Sequence, residues 1–171
     1  MPASVLPPLV VMGVQGSGKS TSGRAIADAL SLPFIDGDDL HPVSNKEKMA
    51  SGHPLTDADR KPWLEAIGAA LADGLARGES TVIACSALKR RYRDLIRSYA
   101  PETRFVHLAG NRSLIAERLT HRDHEYMPPA LLDSQFETLE PLEADEPGIP
   151  VDISLAPAEI AAVVAKALTA P

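Results

Sequence analysis

Residues 13–20 read Gly13-Val14-Gln15-Gly16-Ser17-Gly18-Lys19-Ser20, which matches G-x-x-x-x-G-K-[ST]. No other string in the chain restricts its fold as tightly, because this loop needs a buried strand before it and a helix after it. Leu9-Val10-Val11-Met12 supplies an apolar run ending at Gly13, and Lys19 to Leu30 supplies a helical pattern with Ile26 and Leu30 four apart. Glycines let successive backbone N–H groups turn inward around phosphate oxygens, and the helix N-terminus adds partial positive charge. Gly13, Gln15, Gly16, Ser17 and Gly18 are therefore expected to cradle nucleotide phosphates. Lys19 is expected to reach the β- and γ-phosphates as a catalytic cation, with the Ser20 hydroxyl on Mg²⁺. A glycine-rich turn that binds nothing is the competing reading, and the match of spacing with context weighs against it.

The rest of the chain alternates short apolar runs with helix-length segments. Pro33-Phe34-Ile35 ends at Asp36, Thr81-Val82-Ile83-Ala84 at Cys85, and Arg104-Phe105-Val106-His107-Leu108 at Ala109, while Val151-Asp152-Ile153 is a weaker fifth run. Continuous runs of this kind suit strands covered on both faces. Between them, Thr56 to Arg77 stacks Trp63, Ile67, Leu71 and Leu75 at i+4 steps behind a Thr56–Asp59 capping pattern. Pro62 predicts that regular helix begins close to it. Leu88 to Tyr99 places Leu88, Tyr92, Leu95 and Tyr99 on one face, and Asn111 to Arg122 and Pro157 to Leu168 complete the helices. The alternation predicts an α/β sheet. Two polar insertions, residues 38–55 and 121–129, read as irregular, and irregular insertions are where enzymes handle substrates.

Composition narrows the class. A chain of 171 residues is one domain in size, and 44% hydrophobic with 23% charged residues is the balance of a globular enzyme. Seventeen Lys+Arg against 23 Asp+Glu leave a net charge of −6, which argues against coating nucleic acid or anionic lipid. One cysteine, Cys85, excludes a disulfide framework and reads as a small buried strand residue. No apolar run approaches the ~18 residues of a membrane span, and the proline-bearing start lacks a basic n-region, so a cytoplasmic location is expected. No Walker-B aspartate ends the strand at Cys85-Ser86, and the guanine-reading N-K-x-D is missing, since Asn45-Lys46-Glu47-Lys48 lacks the aspartate. A small-molecule kinase fits better than a motor ATPase or a GTPase.

Asp36 and Asp38 leave the second strand two apart, at the carboxyl end where open α/β sheets present ligand-facing groups. One carboxylate suits the water shell of Mg²⁺ and the other the acceptor hydroxyl; a plain Asp-Gly turn is an equally weighted alternative. Ser86 sits at the edge of a central strand. Lys89, Arg93 and Arg97 form an i, i+4, i+8 row, in which Lys89 and Arg93 lie nearest the mouth and either could meet an anionic substrate. Arg118 and Arg122 lead into the insertion at 121–129, placed to close on phosphate charge, with surface ion pairs as the alternative.

Further strings carry a family resemblance. They are Asp36-Gly37-Asp38-Asp39-Leu40-His41-Pro42, Asn45 with Lys48-Met49-Ala50-Ser51-Gly52, and Pro54-Leu55-Thr56-Asp57-Ala58-Asp59-Arg60-Lys61-Pro62-Trp63-Leu64. Cys85-Ser86-Ala87-Leu88-Lys89, Tyr92-Arg93-Asp94 and Gln135-Phe136-Glu137-Thr138-Leu139-Glu140-Pro141 follow in order. The chain resembles the gluconokinase family, small shikimate-kinase-like enzymes that phosphorylate D-gluconate with ATP. The resemblance implies a P-loop NTPase-type five-stranded parallel sheet flanked by helices, a substrate-binding insertion, a lid and a homodimer. It adds Thr21 to the nucleotide-binding residues and makes Asp38 the hydroxyl-facing carboxylate, so that of the two strand-end carboxylates Asp36 is the one expected at the metal with Ser20. It sets His41, Lys48, Arg60, Ser86, Lys89, Arg93 and Gln135 around the sugar acid, and makes Arg118 and Arg122 lid arginines. The lid departs from the family pattern at Asp123-His124-Glu125-Tyr126-Met127, so a role carries to Arg122 and not to His124. A shikimate-type or nucleoside-monophosphate kinase, and a non-catalytic nucleotide switch, are the alternatives. A polar, cationic insertion suits a flat base poorly, and the switch would not need this much catalytic machinery.

Overall fold

Leu9–Met12 carries four apolar side chains in a row, and a strand of that kind is stable only when both of its faces are covered. The computed structural model, which describes residues 6–120 and 129–169, makes it the central strand β1. The other strands are β2 (Phe34–Asp36), β3 (Val82–Ala84), β4 (Arg104–Ala109) and β5 (Gly148–Asp152). All pairings are parallel in the order β2-β3-β1-β4-β5, with Val10 opposite Ile83 on one side and Phe105 on the other.

The pleat sorts the two cores. Leu9 and Val11 face a cluster that includes Ile26 of α1 (Lys19–Leu30) and Ile160 and Val164 of α7 (Pro157–Thr169). Val10 and Met12 face Trp63, Leu64, Ile67 and Leu71 of α3 (Asp57–Ala76), with Tyr92 and Ile96 of α4 (Arg90–Tyr99). Winding to either side of β1 brings the carboxyl ends of the strands into one crevice, the position where open parallel sheets hold ligands. No helix among the described residues is long and apolar enough to cross a membrane.

Four local readings change. The insertion at 38–55 is largely helical: a 3-10 turn at Gly37–Leu40 and then α2 (Val43–Ala50). Asn45 is the buried residue of α2, so this helix is held by polar contacts and shows no apolar periodicity. The expected helix α5 (Arg112–Thr120) and an unforeseen α6 (Pro129–Thr138) flank residues 121–128, which lie outside the described residues together with the lid expected there. Pro62 lies inside α3, because the complete Thr56–Asp59 capping box starts the helix at Asp57 and burial of Trp63 and Leu64 sustains it past the proline. On α4 the buried face is Tyr92, Arg93 and Ile96, and Tyr99 is exposed.

Arg93 is the largest side chain without solvent exposure among the described residues, and the side chain of its partner Glu146 is 1% exposed. Nε donates to Glu146 at 2.6 Å and Nη2 to the other carboxylate oxygen at 2.9 Å. Nη1 donates to the Ala87 carbonyl at 3.0 Å and the Leu88 carbonyl at 3.3 Å, and Nη2 also to Pro141 at 3.3 Å. Those contacts engage all five guanidinium donors. Arg93 is thus a brace for the β3–α4 connection and has no N–H left for substrate, contrary to the sequence expectation. The segment it grips also caps α4, since Glu140 accepts the Arg90 backbone N–H at 2.9 Å. Glu146→Ala should lower the unfolding free energy by about 3–5 kcal/mol, as loss of one partner of a buried pair does. Urea denaturation measures this, and the apolar pair Arg93→Met with Glu146→Leu should recover part of the loss.

Candidate active site

The phosphate loop leaves β1 and turns into α1 at Gly18, whose φ of 88° is left-handed and forms the helix N-cap without a side-chain cap. A residue with a Cβ would be strained there. Ser17 Oγ donates to the Val14 carbonyl at 2.7 Å, and Lys19 Nζ to the same carbonyl at 3.1 Å, so the lysine lies along the loop. The Gln15 N–H donates to Gln135 Oε1 at 2.6 Å. Gln135, expected beside the sugar acid, therefore stands on the phosphate loop, with its carbonyl oxygen where an N–H of this type would meet an anion.

Ser20 Oγ donates to Asp36 Oδ2 at 3.1 Å, and Asp36 Oδ1 accepts the Asp38 N–H at 3.0 Å. The turn between the two aspartates is held from both sides. A Cβ on Gly37 would press into the Ala84 carbonyl, and the Trp63 indole N–H donates to the Gly37 carbonyl at 2.7 Å. Asp36 and Asp38 are thus fixed at the end of β2 beside the loop. Cys85 adjoins this point, close enough to feel the charges of both Lys19 and Asp38, while burial pushes its thiol up to about 12. It is an inert packing residue. Magnesium is commonly held by one or two protein oxygens together with phosphate oxygens and water. Ser20 Oγ and Asp36 Oδ2 fit that donor set.

A second group of residues gathers around the N-terminus of α3. His41 stacks on Trp63 with ring centroids 4.0 Å apart and 15° between planes. Burial first, then the nearby Lys46 and Arg60 charges, lower its pKa from 6.5 to about 4. Asn45 Nδ2 lies 3.3 Å from His41 Nδ1 and donates to the Asp59 carbonyl at 2.8 Å. Donation by Asn45 makes Nδ1 the acceptor and places the ring proton on Nε2. Lys48 pairs with Asp59 at 2.6 Å. That hydrogen bond, with those from Thr56, holds Asp59 at about 2. Arg60 Nη1 donates to the Tyr92 hydroxyl at 3.4 Å, and Lys89 Nζ to Asp57 Oδ1 at 3.4 Å. Ser86 ties this side to the loop, its carbonyl accepting the Gly13 N–H at 3.3 Å. The next residue, Ala87, has a left-handed φ of 44°, a strained conformation of the kind found at functional sites.

The structure thus brings Gly13 to Thr21, Asp36, Asp38 and Ser86 to one end of the sheet, with His41, Lys48, Arg60 and Lys89 on the α3 side. Arg118 lies at the β5 edge of the same sheet end, donating to the Ile153 carbonyl just past the strand. An open groove of about 500 Å³ at this edge is lined by Ala109, Gly110, Asn111, Pro150, Val151 and Asp152, the residue before Ile153. Arg122 lies outside the described residues. Asp57, Tyr92 and Asn45 stand in the strings that carry the resemblance, but the sequence assigns them no site role. The legible signal for Asp57 was its place in the first turn of a helix already marked by a capping box.

A glycine loop on the central strand, a Ser–Asp pair beside it and an acceptor side built from an insertion define a P-loop kinase of the shikimate kinase type. The shikimate kinase family model matches residues 15–147. The chain belongs to the gluconokinase family. It is 47% identical over 140 residues to the thermosensitive gluconokinase of Escherichia coli K12, covering 82% of this chain and 75% of the relative. It is 46% identical over 143 residues to the gluconokinase of Gluconobacter oxydans 621H, covering 84% and 80% of the two chains. The crystal structure of a gluconokinase from Sinorhizobium meliloti 1021 superposes with a TM-score of 0.85 at 48% identity, covering 96% of this chain and 94% of that one. Shikimate kinase from Aquifex aeolicus, at 15% identity and a TM-score of 0.59, shares the fold.

The depressed His41 pKa has a consequence for stability. Between pH 6.5 and about 4 the unfolded chain binds a proton at this ring and the folded chain does not. Stability from this group is therefore complete above pH 6.5 and is lost progressively as pH falls toward 4. His41→Gln should flatten that fall, read as the urea midpoint at a series of pH values.

Proposed function

We propose that the protein transfers the γ-phosphoryl group of ATP to the primary hydroxyl of D-gluconate, giving 6-phospho-D-gluconate and ADP. The observation that carries this reading is the joining, across the pinned turn of Asp36 to Asp38, of a complete phosphate loop to a side that carries Arg60, Lys89 and a neutral His41. A nucleobase acceptor would ask for an apolar slot. A polyol acid asks for hydroxyl partners and a cationic end, which these side chains supply. The names of the relatives at 46–47% identity point the same way.

In this mechanism the loop N–H groups and Lys19 hold the β- and γ-phosphates and stabilise charge as it develops. Asp38 orients the acceptor hydroxyl and takes its proton. The hydroxyl oxygen bonds to the γ-phosphorus as the bond from that phosphorus to the β–γ bridging oxygen breaks, and ADP leaves with the electron pair. The transition state is loose, so aim matters more than early deprotonation. Mg²⁺, held by Ser20 and Asp36, would supply charge neutralisation between the phosphates. His41 offers its Nε2 proton to a sugar hydroxyl. The groove beside Arg118 takes the nucleoside end of ATP, and Arg122 closes on the phosphates. A homodimer in the cytoplasm is the setting that goes with this reading, and light scattering tests the assembly.

ADP release measured with gluconate, other sugar acids, shikimate and nucleoside monophosphates tests the reading; turnover of shikimate or a nucleotide in place of gluconate would overturn it. Lys19→Met should leave a folded protein and lower kcat by at least about 10²–10³-fold. Asp38→Asn should lower kcat by about 10²-fold with ATP binding little changed, while Asp39→Asn stays near wild type. Equal behaviour of the two aspartate variants would move the catalytic carboxylate to Asp36.

A further inference from the structure

We propose that Asp57 is a positioning residue for acid recognition: it acts as the fixed counter-ion that holds Arg60 and Lys89 beside each other, ready for the substrate's carboxylate. The inference rests on the gluconate reading above and names the device within that site that selects an acid.

The geometry is specific. Asp57 opens α3, and its Oδ1 accepts the Tyr92 hydroxyl and, at 3.4 Å, Lys89 Nζ. The same oxygen lies 3.9 Å from Arg60 Nη1, and Oδ2 lies 2.9 Å from Arg91 Nη1. Arg60 and Lys89 both lie against the ring of buried Tyr92, at 5.7 and 5.6 Å from its centroid. An acidic residue in a helix's first turn is ordinarily explained by the helix dipole. That explanation does not reach this arrangement, because Thr56 and Asp59 already form the capping box and Asp57 instead gathers groups from α3, α4 and the connection before α4.

The charge arithmetic points to an anion. Arg60, Lys89 and Arg91 carry three positive charges against one negative on Asp57, so the group keeps a net positive charge. Arg91, with its side chain 67% exposed, is largely screened by solvent. The Tyr92 hydrogen bond first, and then the surrounding cations, hold Asp57 below the usual carboxylate range, so the counter-ion stays charged through neutral pH. Without it, two like charges on flexible stems would repel and spread. With it, they wait in place, and less ordering is left for binding to accomplish. Nor does Asp57 exhaust them. Among the described residues Lys89 donates one N–H to Asp57 and Arg60 one to Tyr92, so each keeps donors for a ligand.

Steady-state kinetics of Asp57→Asn with D-gluconate, alongside the inhibition constant of glucitol, the same polyol without the acid, tests the proposal. KM for gluconate should rise about tenfold with kcat within about threefold of wild type, while the glucitol constant and KM for ATP stay unchanged. A general loosening of α3 would weaken gluconate and glucitol together, and that result would overturn the proposal, as would an unchanged or lowered gluconate KM. Tyr92→Phe keeps the carboxylate and removes its hydroxyl partner; it should shift gluconate KM in the same direction by less, and it serves as the deciding variant if Asp57→Asn does not fold. Wild-type protein that fails to phosphorylate gluconate would overturn the functional reading and this inference with it. Activity on gluconate with an unshifted KM in the folded variants would overturn this inference alone.

Discussion

The hydrogen bond from the Trp63 indole to the Gly37 carbonyl, 2.7 Å long, joins the two halves of the site. On one side Gly37 packs against the Ala84 carbonyl so closely that only hydrogen fits, which fixes β2 and its aspartates against β3 and the phosphate loop. On the other side Trp63 belongs to α3, whose first turns carry Asp57, Asp59 and Arg60, and its ring is the platform for His41. Movement of this one contact would shift the carboxylates relative to the phosphate loop and the cations relative to both. Phosphoryl transfer depends on alignment, so a rigid joint between the two anion-handling regions is what the chemistry requires.

A second constraint holds the far wall. Ser86 and Lys89 lie on a connection that includes the left-handed Ala87, and such backbone persists only when its surroundings over-determine it. Arg93 provides that restraint through the Ala87 and Leu88 carbonyls, and Glu146 neutralises it in an enclosed space. Arg90 extends the grip at the surface through Asp145, at 2.6 and 2.7 Å. The segment from Glu140 to Glu146 therefore acts as a strap across the base of α4. A charge that reads as a ligand for substrate is instead used to hold the ligands' scaffold.

How legible this was in the sequence depended on which force placed each residue. The strands, α1, α3 and α7 are fixed by apolar burial, and burial leaves a period that can be counted; the loop at 13–20 is fixed by its glycines. The helix α2 leaves no such mark, since Asn45, Lys48 and their partner Asp59 hold it by polar contacts that depend on residues distant in the chain. Arg93 illustrates the same limit. Spacing put it in a row with Lys89, yet one row on a helix does not tell which member turns inward, and Glu146, which decides the matter, is far away in sequence. Gln135 was recognisable as a site residue, but only the fold shows that its carboxamide meets the Gln15 N–H.

In the proposed reaction the site handles two anions by different means, and the difference follows from what each must do. At the phosphate end the donors are chiefly backbone N–H groups at the start of α1, fixed by Gly18 and by the internal Ser17 and Lys19 contacts to Val14. Charge moves there during the reaction, and fixed dipoles stabilise it without having to reorganise. At the acid end the carboxylate undergoes no chemistry and only has to be held. Side-chain cations suffice for that, provided that something fixes their positions beforehand, and this is the physical reason for an acidic residue among Arg60, Lys89 and Arg91. In a chain of net charge −6, Arg60, Lys89 and Arg91 gather around Asp57, which balances part of their charge locally.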